Sequence, residues 1–234
     1  MTQRFKASAD FETNKPRSGT MPNDQVATAI VAADQPANTA KLSEFDFIVV
    51  VDSSGSMGTE DMPGGRSRWA HMQETLTAFA RDLQKIDSDG LGLVLFSGTS
   101  VQSFDGVDAD KISNLLAARR PMGGTPLAQA LTAALALAGK SDKKDFIVVF
   151  TDGVPDDKEA AAAVIRDASN KIAADDELTF LFVQVGNDAS ASAYLRKLDD
   201  DLVGSKFDIV DAKTIDEAEQ FASTTELIIA AIAD

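Results

Sequence analysis

Residues 49–58 read VVVDSSGSMG. Three β-branched residues run straight into a carboxylate, and hydroxyls follow at positions 53, 54 and 56. With the preceding residues the run is FDFIVVVD (45–52), continuous rather than alternating, which predicts a strand covered on both faces. Strands of that kind belong to parallel sheets flanked by helices, and ligands bind such sheets beyond the carboxyl ends of the strands. Asp52, Ser54 and Ser56 alternate, so an extended turn leaving the strand points the three side chains to one side. Gly55 is expected to let the backbone curl between the two serines.

The same grammar recurs down the chain. DFIVVFTDG (145–153) is a second buried run ending on a carboxylate, Asp152. GLGLVLFSG (90–98), LTFLFVQVG (178–186) and KFDIVDA (206–212) read as further strands. SVQSF (100–104) reads as a short edge strand joined through Gly98. Between them, RWAHMQETLTAFARDLQKI (68–86) repeats Trp69, Met72, Leu76, Phe79, Leu83 and Ile86 at helical spacing. Segments 108–120, 125–139, 156–174, 190–200 and 214–233 are also helical in pattern. Alternating strands and helices predict a three-layer, Rossmann-like α/β fold. Its central sheet is mostly parallel and six-stranded, with one antiparallel edge strand and helices on both faces. Residues 1–44 carry Pro16, Pro22 and Pro36 among polar residues and show no sustained period. They are expected to form a loosely ordered or packed N-terminal arm, with the α/β domain over 45–234.

Composition narrows the function classes. The formal charge is −15, which disfavours nucleic acid and anionic membrane surfaces as partners. There is no cysteine, so disulfides, thiolate metal sites and cysteine nucleophiles are excluded. A single histidine, His71, argues against a multi-histidine metal site and is expected to be a packed or surface residue of its helix. The opening residues lack a signal-peptide apolar core, and no apolar run approaches the ~20 residues of a membrane span. A cytoplasmic location is the expectation.

The strand tips collect the chemistry. The first offers Asp52, Ser54 and Ser56, and a later one offers Asp152; the loop PMGGTP (121–126) delivers Thr125 ahead of a helix. Each has an ordinary reading by itself. Thr125 before Pro126 is a good helix cap, Asp152-Gly153 a turn, and Ser54-Gly55-Ser56 a polar loop. Their coincidence at one sheet edge is what singles them out. Two carboxylates and three hydroxyls are all hard oxygen donors, which suit Mg²⁺, Mn²⁺ or Ca²⁺. Such a set leaves the ion under-coordinated unless water or a further ligand joins, and an open position is where a partner's carboxylate could bind.

DSSGSM (52–57), GGTPL (123–127) and FTDG (150–153) resemble, in order, the three motifs of the von Willebrand factor A domain. The resemblance covers roughly residues 45–234. It implies a metal-ion-dependent adhesion site in which Ser54, Ser56 and Thr125 bind the ion directly and Asp52 and Asp152 bind directly or through water. It further implies that a partner's Asp or Glu completes the shell, and that movement of Thr125 and the last helix couples two states. A weaker similarity of residues 182–200 to bacterial tellurium-resistance-type proteins and copines implies an intracellular bacterial protein. The lead into the first helix, GTEDMPGGRSRW (58–69), is longer than in compact members; it brings Glu60 and Asp61 near the rim, where they tune partner choice, supply a second ion or form a solvated loop.

Three other readings compete with this one. A haloacid-dehalogenase-like phosphatase would use Asp52 as nucleophile and Thr151 as the later hydroxyl, but its acid/base carboxylate would have to stand where Ser54 stands. LALAGKS (135–141) has the tail of a phosphate-binding loop, but Ala134 occupies the first glycine position and the motif closes a helix instead of opening one. A metal-independent scaffold is the third. The sequence reading is a binding module, not an enzyme.

Overall fold

The computed structural model describes residues 38–233. The expected N-terminal arm, with its VATAIVAA segment (26–33), lies outside the described residues up to position 37. A helical turn over 38–42 precedes the sheet, and its Leu42 is fully buried in the core.

Six strands form one sheet: β1 (Phe45–Asp52), β2 (Leu91–Ser97), β3 (Ser100–Val107), β4 (Lys144–Thr151), β5 (Leu178–Gln184) and β6 (Val210–Thr214). Their spatial order is β3-β2-β1-β4-β5-β6. Every pairing is parallel except β2 with β3, as the sequence predicts for one antiparallel edge. The strand order reverses between β1 and β4, so a crevice opens where their carboxyl ends diverge.

The helices are α1 (Arg68–Leu83), α2 (Ala109–Ala117), α3 (Leu127–Leu137), α4 (Lys158–Ser169), α5 (Ala189–Asp200), α6 (Ile215–Ala218) and α7 (Thr224–Ile232). They cover both faces. Phe47, Val49 and Val51 of β1 pack with Met72, Leu76 and Leu83 of α1, Ile112 and Leu116 of α2, and Leu227 and Ile228 of α7. Ile48 and Val50 point the other way, toward Leu131 of α3, Ile165 of α4 and Leu195 of α5. Alternate residues of one strand thus feed two cores, which is why its sequence is apolar without alternation.

Two elements depart from expectation. The last strand begins at Val210 instead of Lys206. Phe207 is tied to α4 instead, its N–H donating to Ser169 Oγ and its carbonyl accepting from that hydroxyl. The closing helix is broken in two. Thr214 and Glu217 cap α6 reciprocally, and Ser223 stops the chain again in an extended conformation, accepting from the Glu226 N–H. Local side-chain bonds from Ser and Thr compete with helix propagation, and here they interrupt it.

Candidate metal centre

Asp52 is the last residue of β1 and is fully buried. Its Oδ1 accepts the Ser54 N–H at 2.7 Å, and its Oδ2 accepts the Thr151 hydroxyl at 2.7 Å. Burial outweighs these bonds and the nearby Asp152 charge adds to it, so its carboxyl is raised from 3.8 to about 6. Ser54 Oγ and Ser56 Oγ are 3.1 Å apart, and the Ser56 hydroxyl donates to Asp152 Oδ1 at 2.8 Å. The Asp152 carboxyl is also raised, chiefly by burial, against the lowering effect of Arg68 and Ser56.

Four of the five expected residues, Asp52, Ser54, Ser56 and Asp152, are therefore joined in one hydrogen-bonded cluster at the divergence of β1 and β4. Thr125 reaches the same edge through its loop. The Gly55 N–H donates to the Gly123 carbonyl at 2.9 Å, and the Met122 N–H to the Ser53 carbonyl at 2.9 Å. Thr125 itself is buried, its N–H donating to Asp156 Oδ1 at 3.0 Å and its carbonyl accepting from the Asp156 N–H at 3.0 Å. It does not cap α3; the cap position falls on Pro126, with no side-chain bond.

The glycine requirement also sits elsewhere than the sequence suggests. Gly55 is not in the left-handed region, and a Cβ there would lie 3.5 Å from the Gly123 carbonyl oxygen, an ordinary contact. Gly123 is the demanding position. Its φ is +77°, and a Cβ would come within 2.9 Å of Gly98 Cα. Gly124 leaves room for the Asp156 carboxylate, 2.9 Å from where its Cβ would be.

Glu60 is exposed. Asp61 is committed to Arg68, whose Nη2 donates to its Oδ2 at 2.6 Å; that bond holds the Asp61 carboxyl below its usual range. The lead into α1 folds back on itself through a Met62–Arg66 bridge and buries Met62. His71 is packed, with Arg66 Nη2 2.7 Å from its Nδ1 and Glu219 Oε1 3.1 Å from its Nε2. Gly139 follows α3 with φ +67°, the helix-ending role that its place in LALAGKS implied.

Arg68, Arg119 and Asp156 also shape this edge, and the strand-tip pattern does not reveal them. Arg68 Nη1 donates to Asp152 Oδ2 at 2.9 Å. Arg119 Nε donates to Ser53 Oγ at 2.7 Å. One signal was legible for Arg68. It is the first residue of α1, where a cation opposes the helix dipole and needs an anionic partner.

The donors fit a hard divalent cation. All are oxygens, and a buried Asp52 with a raised pKa is a negative charge short of compensation. Among the described residues no group of three or more His, Cys, Asp or Glu is placed to hold a metal, so any such centre here relies on hydroxyls.

Residues 47–154 match the family model of the von Willebrand factor type A domain. The matched stretch runs from β1 to just past the tip of β4, and the architecture agrees with that fold. A mutant of the PilB minor pilin from Streptococcus sanguinis has the same fold, with TM-score 0.59 at 16% identity over 81% of this chain and 60% of that one. The manganese-loaded TRAP protein of Plasmodium vivax gives TM-score 0.54 at 16% identity over 81% and 74%. The pilus adhesin SpaC from Lactobacillus rhamnosus GG gives 0.53 at 18% identity over 81% and 30%. This chain thus spans less than two thirds of the length of both pilus proteins, and at these identities the likeness establishes the fold. No curated protein matches the chain. Among the described residues no helix is long and apolar enough to cross a membrane.

Proposed function

We propose that this domain binds a protein partner through a divalent cation held by Asp52, Ser54, Ser56, Thr125 and Asp152, the partner supplying an Asp or Glu carboxylate. The observation that carries the reading is the continuous cluster of oxygen donors from Asp52 to Asp152 at the point where the strand order reverses. Bound there, Mg²⁺, Mn²⁺ or Ca²⁺ would supply an electrophilic centre for the partner's carboxylate. Ser54, Ser56 and Thr125 bring neutral oxygens, which leave more of the ion's charge for that carboxylate than further aspartates would. Asp52 is fixed through both oxygens and supplies buried negative charge. Asp152 orients the Ser56 hydroxyl. The manganese-loaded state of the TRAP neighbour supports metal binding in this fold.

Binding is favoured over phosphoryl transfer. Both Asp52 oxygens already accept hydrogen bonds and the residue is fully buried, a poor disposition for a nucleophile. The proposal includes the cytoplasmic location and a protein rather than nucleic-acid partner, on the cysteine-free, strongly acidic composition.

Thermal melts of the wild type and Asp52→Asn with Mg²⁺ or with chelator test the site. Cation at a hundred times its dissociation constant should add about 2.7 kcal/mol to the wild type and little to the variant. Equal shifts in both proteins would remove Asp52 from the site, and no shift in either would favour the metal-independent scaffold.

A further inference from the structure

Arg68 is held more tightly than a surface arginine needs to be. Its side chain is 11% exposed. Nε donates to both oxygens of Asp61, at 2.9 and 3.1 Å, and Nη2 donates to Asp61 Oδ2 at 2.6 Å. Nη1 crosses to Asp152 Oδ2 at 2.9 Å. The slot is shaped by a glycine. Gly186 has φ +82°, and a Cβ there would lie 2.5 Å from Arg68 Nε.

The contact divides Asp152 in two. Oδ1 accepts the Ser56 hydroxyl within the oxygen cluster, while Oδ2 is occupied by the guanidinium. Asp52 and Asp152 bring two negative charges to the cluster and Arg68 offsets one of them; Asp61, bound to the guanidinium outside the cluster, adds one back. A cation one carboxylate away from a fixed positive charge is held less strongly, and an electrophilic ion with unsatisfied demand is what an external carboxylate needs.

We infer that Arg68 is a positioning residue that sets the charge of the proposed cation site. It pins Asp152 by its outer oxygen and holds intrinsic cation affinity down, so that tight binding depends on the partner's carboxylate. Asp61 balances Arg68 from the solvent side. This inference rests on the divalent-cation reading of the preceding section.

The two partners of the pair make opposite predictions. Calorimetric titration of metal-stripped full-length protein with MnCl₂, without partner, is the measurement. Arg68→Met removes positive charge and should tighten Mn²⁺ binding by about fivefold or more. Asp61→Asn leaves the guanidinium less balanced and should weaken binding by about twofold or more. Arg68→Lys keeps the charge and should stay within about twofold of the wild type. A merely structural role would weaken binding in both Arg68→Met and Asp61→Asn, because both would disorder Asp152; that pattern, or an unchanged Arg68→Met affinity, overturns the inference while leaving the cation site intact. Should Arg68→Met fail to fold by circular dichroism, Arg68→Gln, which loses the charge and keeps an amide donor, takes its place: tighter Mn²⁺ binding supports the inference and unchanged or weaker binding overturns it. A wild type that takes up no Mn²⁺ sinks the cation reading and this inference with it.

Discussion

The Thr151 hydroxyl donates to Oδ2 of Asp52 at 2.7 Å, tying together the tips of β1 and β4. This bond and the one from the Ser54 N–H both favour the ionised carboxylate, yet burial still lifts Asp52 to about 6. Desolvation therefore wins at this position, and the cluster carries a charge that the polypeptide alone does not fully compensate.

A pH dependence of stability follows. The folded pKa lies above the unfolded value, so Asp52 stabilises the fold when protonated, below about 4. That contribution is lost as pH rises through about 6. The loss is on the order of 3 kcal/mol. Asp52→Asn mimics the protonated form. In chelator, denaturant unfolding should show the variant gaining on the wild type at pH 8 and gaining little at pH 4. A constant difference between the two pH values would contradict this.

Cation binding should show the opposite preference. A ligand carboxylate must be deprotonated, so Mg²⁺ affinity should weaken several-fold between pH 7.5 and pH 5.5. Titration calorimetry at the two pH values checks it, and equal affinities would argue that Asp52 contributes no charge to the ion.

The two glycines of the tip loops should differ sharply. Gly123→Ala combines a left-handed backbone with a contact of 2.9 Å to Gly98 Cα and should cost about 1–3 kcal/mol. Gly55→Ala meets nothing closer than 3.5 Å and should cost less than half as much. Paired thermal melts in chelator separate them.

Leu42 tests how far the domain extends ahead of β1. It is fully buried in the core shared with α1. Leu42→Ala should destabilise by about 2–5 kcal/mol, read from the denaturation midpoint. A surface-like change below ~0.5 kcal/mol would show that the preceding turn packs only loosely.

The cap at Ser223 explains the split closing segment. Ser223→Ala should cost about 1 kcal/mol by loss of its bond to the Glu226 N–H. An unchanged melting temperature would mean that the break between α6 and α7 is held by packing instead.

Most of the fold was readable because its causes are local. The unbroken apolar run of residues 45–52 specifies a strand buried on both sides, and the spacing from Trp69 to Leu83 specifies a one-faced helix. Alternation of such segments leaves few topologies. The three motif stretches and their oxygen donors were likewise visible, since each is a few residues long. Reading failed where a local pattern had a competing partner. Thr125 looks like a cap until Asp156 claims its backbone. Residues 206–209 look like strand until Ser169 holds Phe207. The closing helix looks continuous until Ser223 captures the Glu226 N–H.

By itself, then, the sequence determined the layers, the strand tips and the identity of the oxygen-bearing side chains, because period and turn chemistry act over a handful of residues. Tertiary structure alone decided which charges meet. Asp52 and Thr151 are 99 positions apart and Arg68 and Asp152 are 84 apart. Only the order of the strands brings them within hydrogen-bonding distance, and only burial there makes one carboxylate hard to ionise and one arginine its neighbour's anchor.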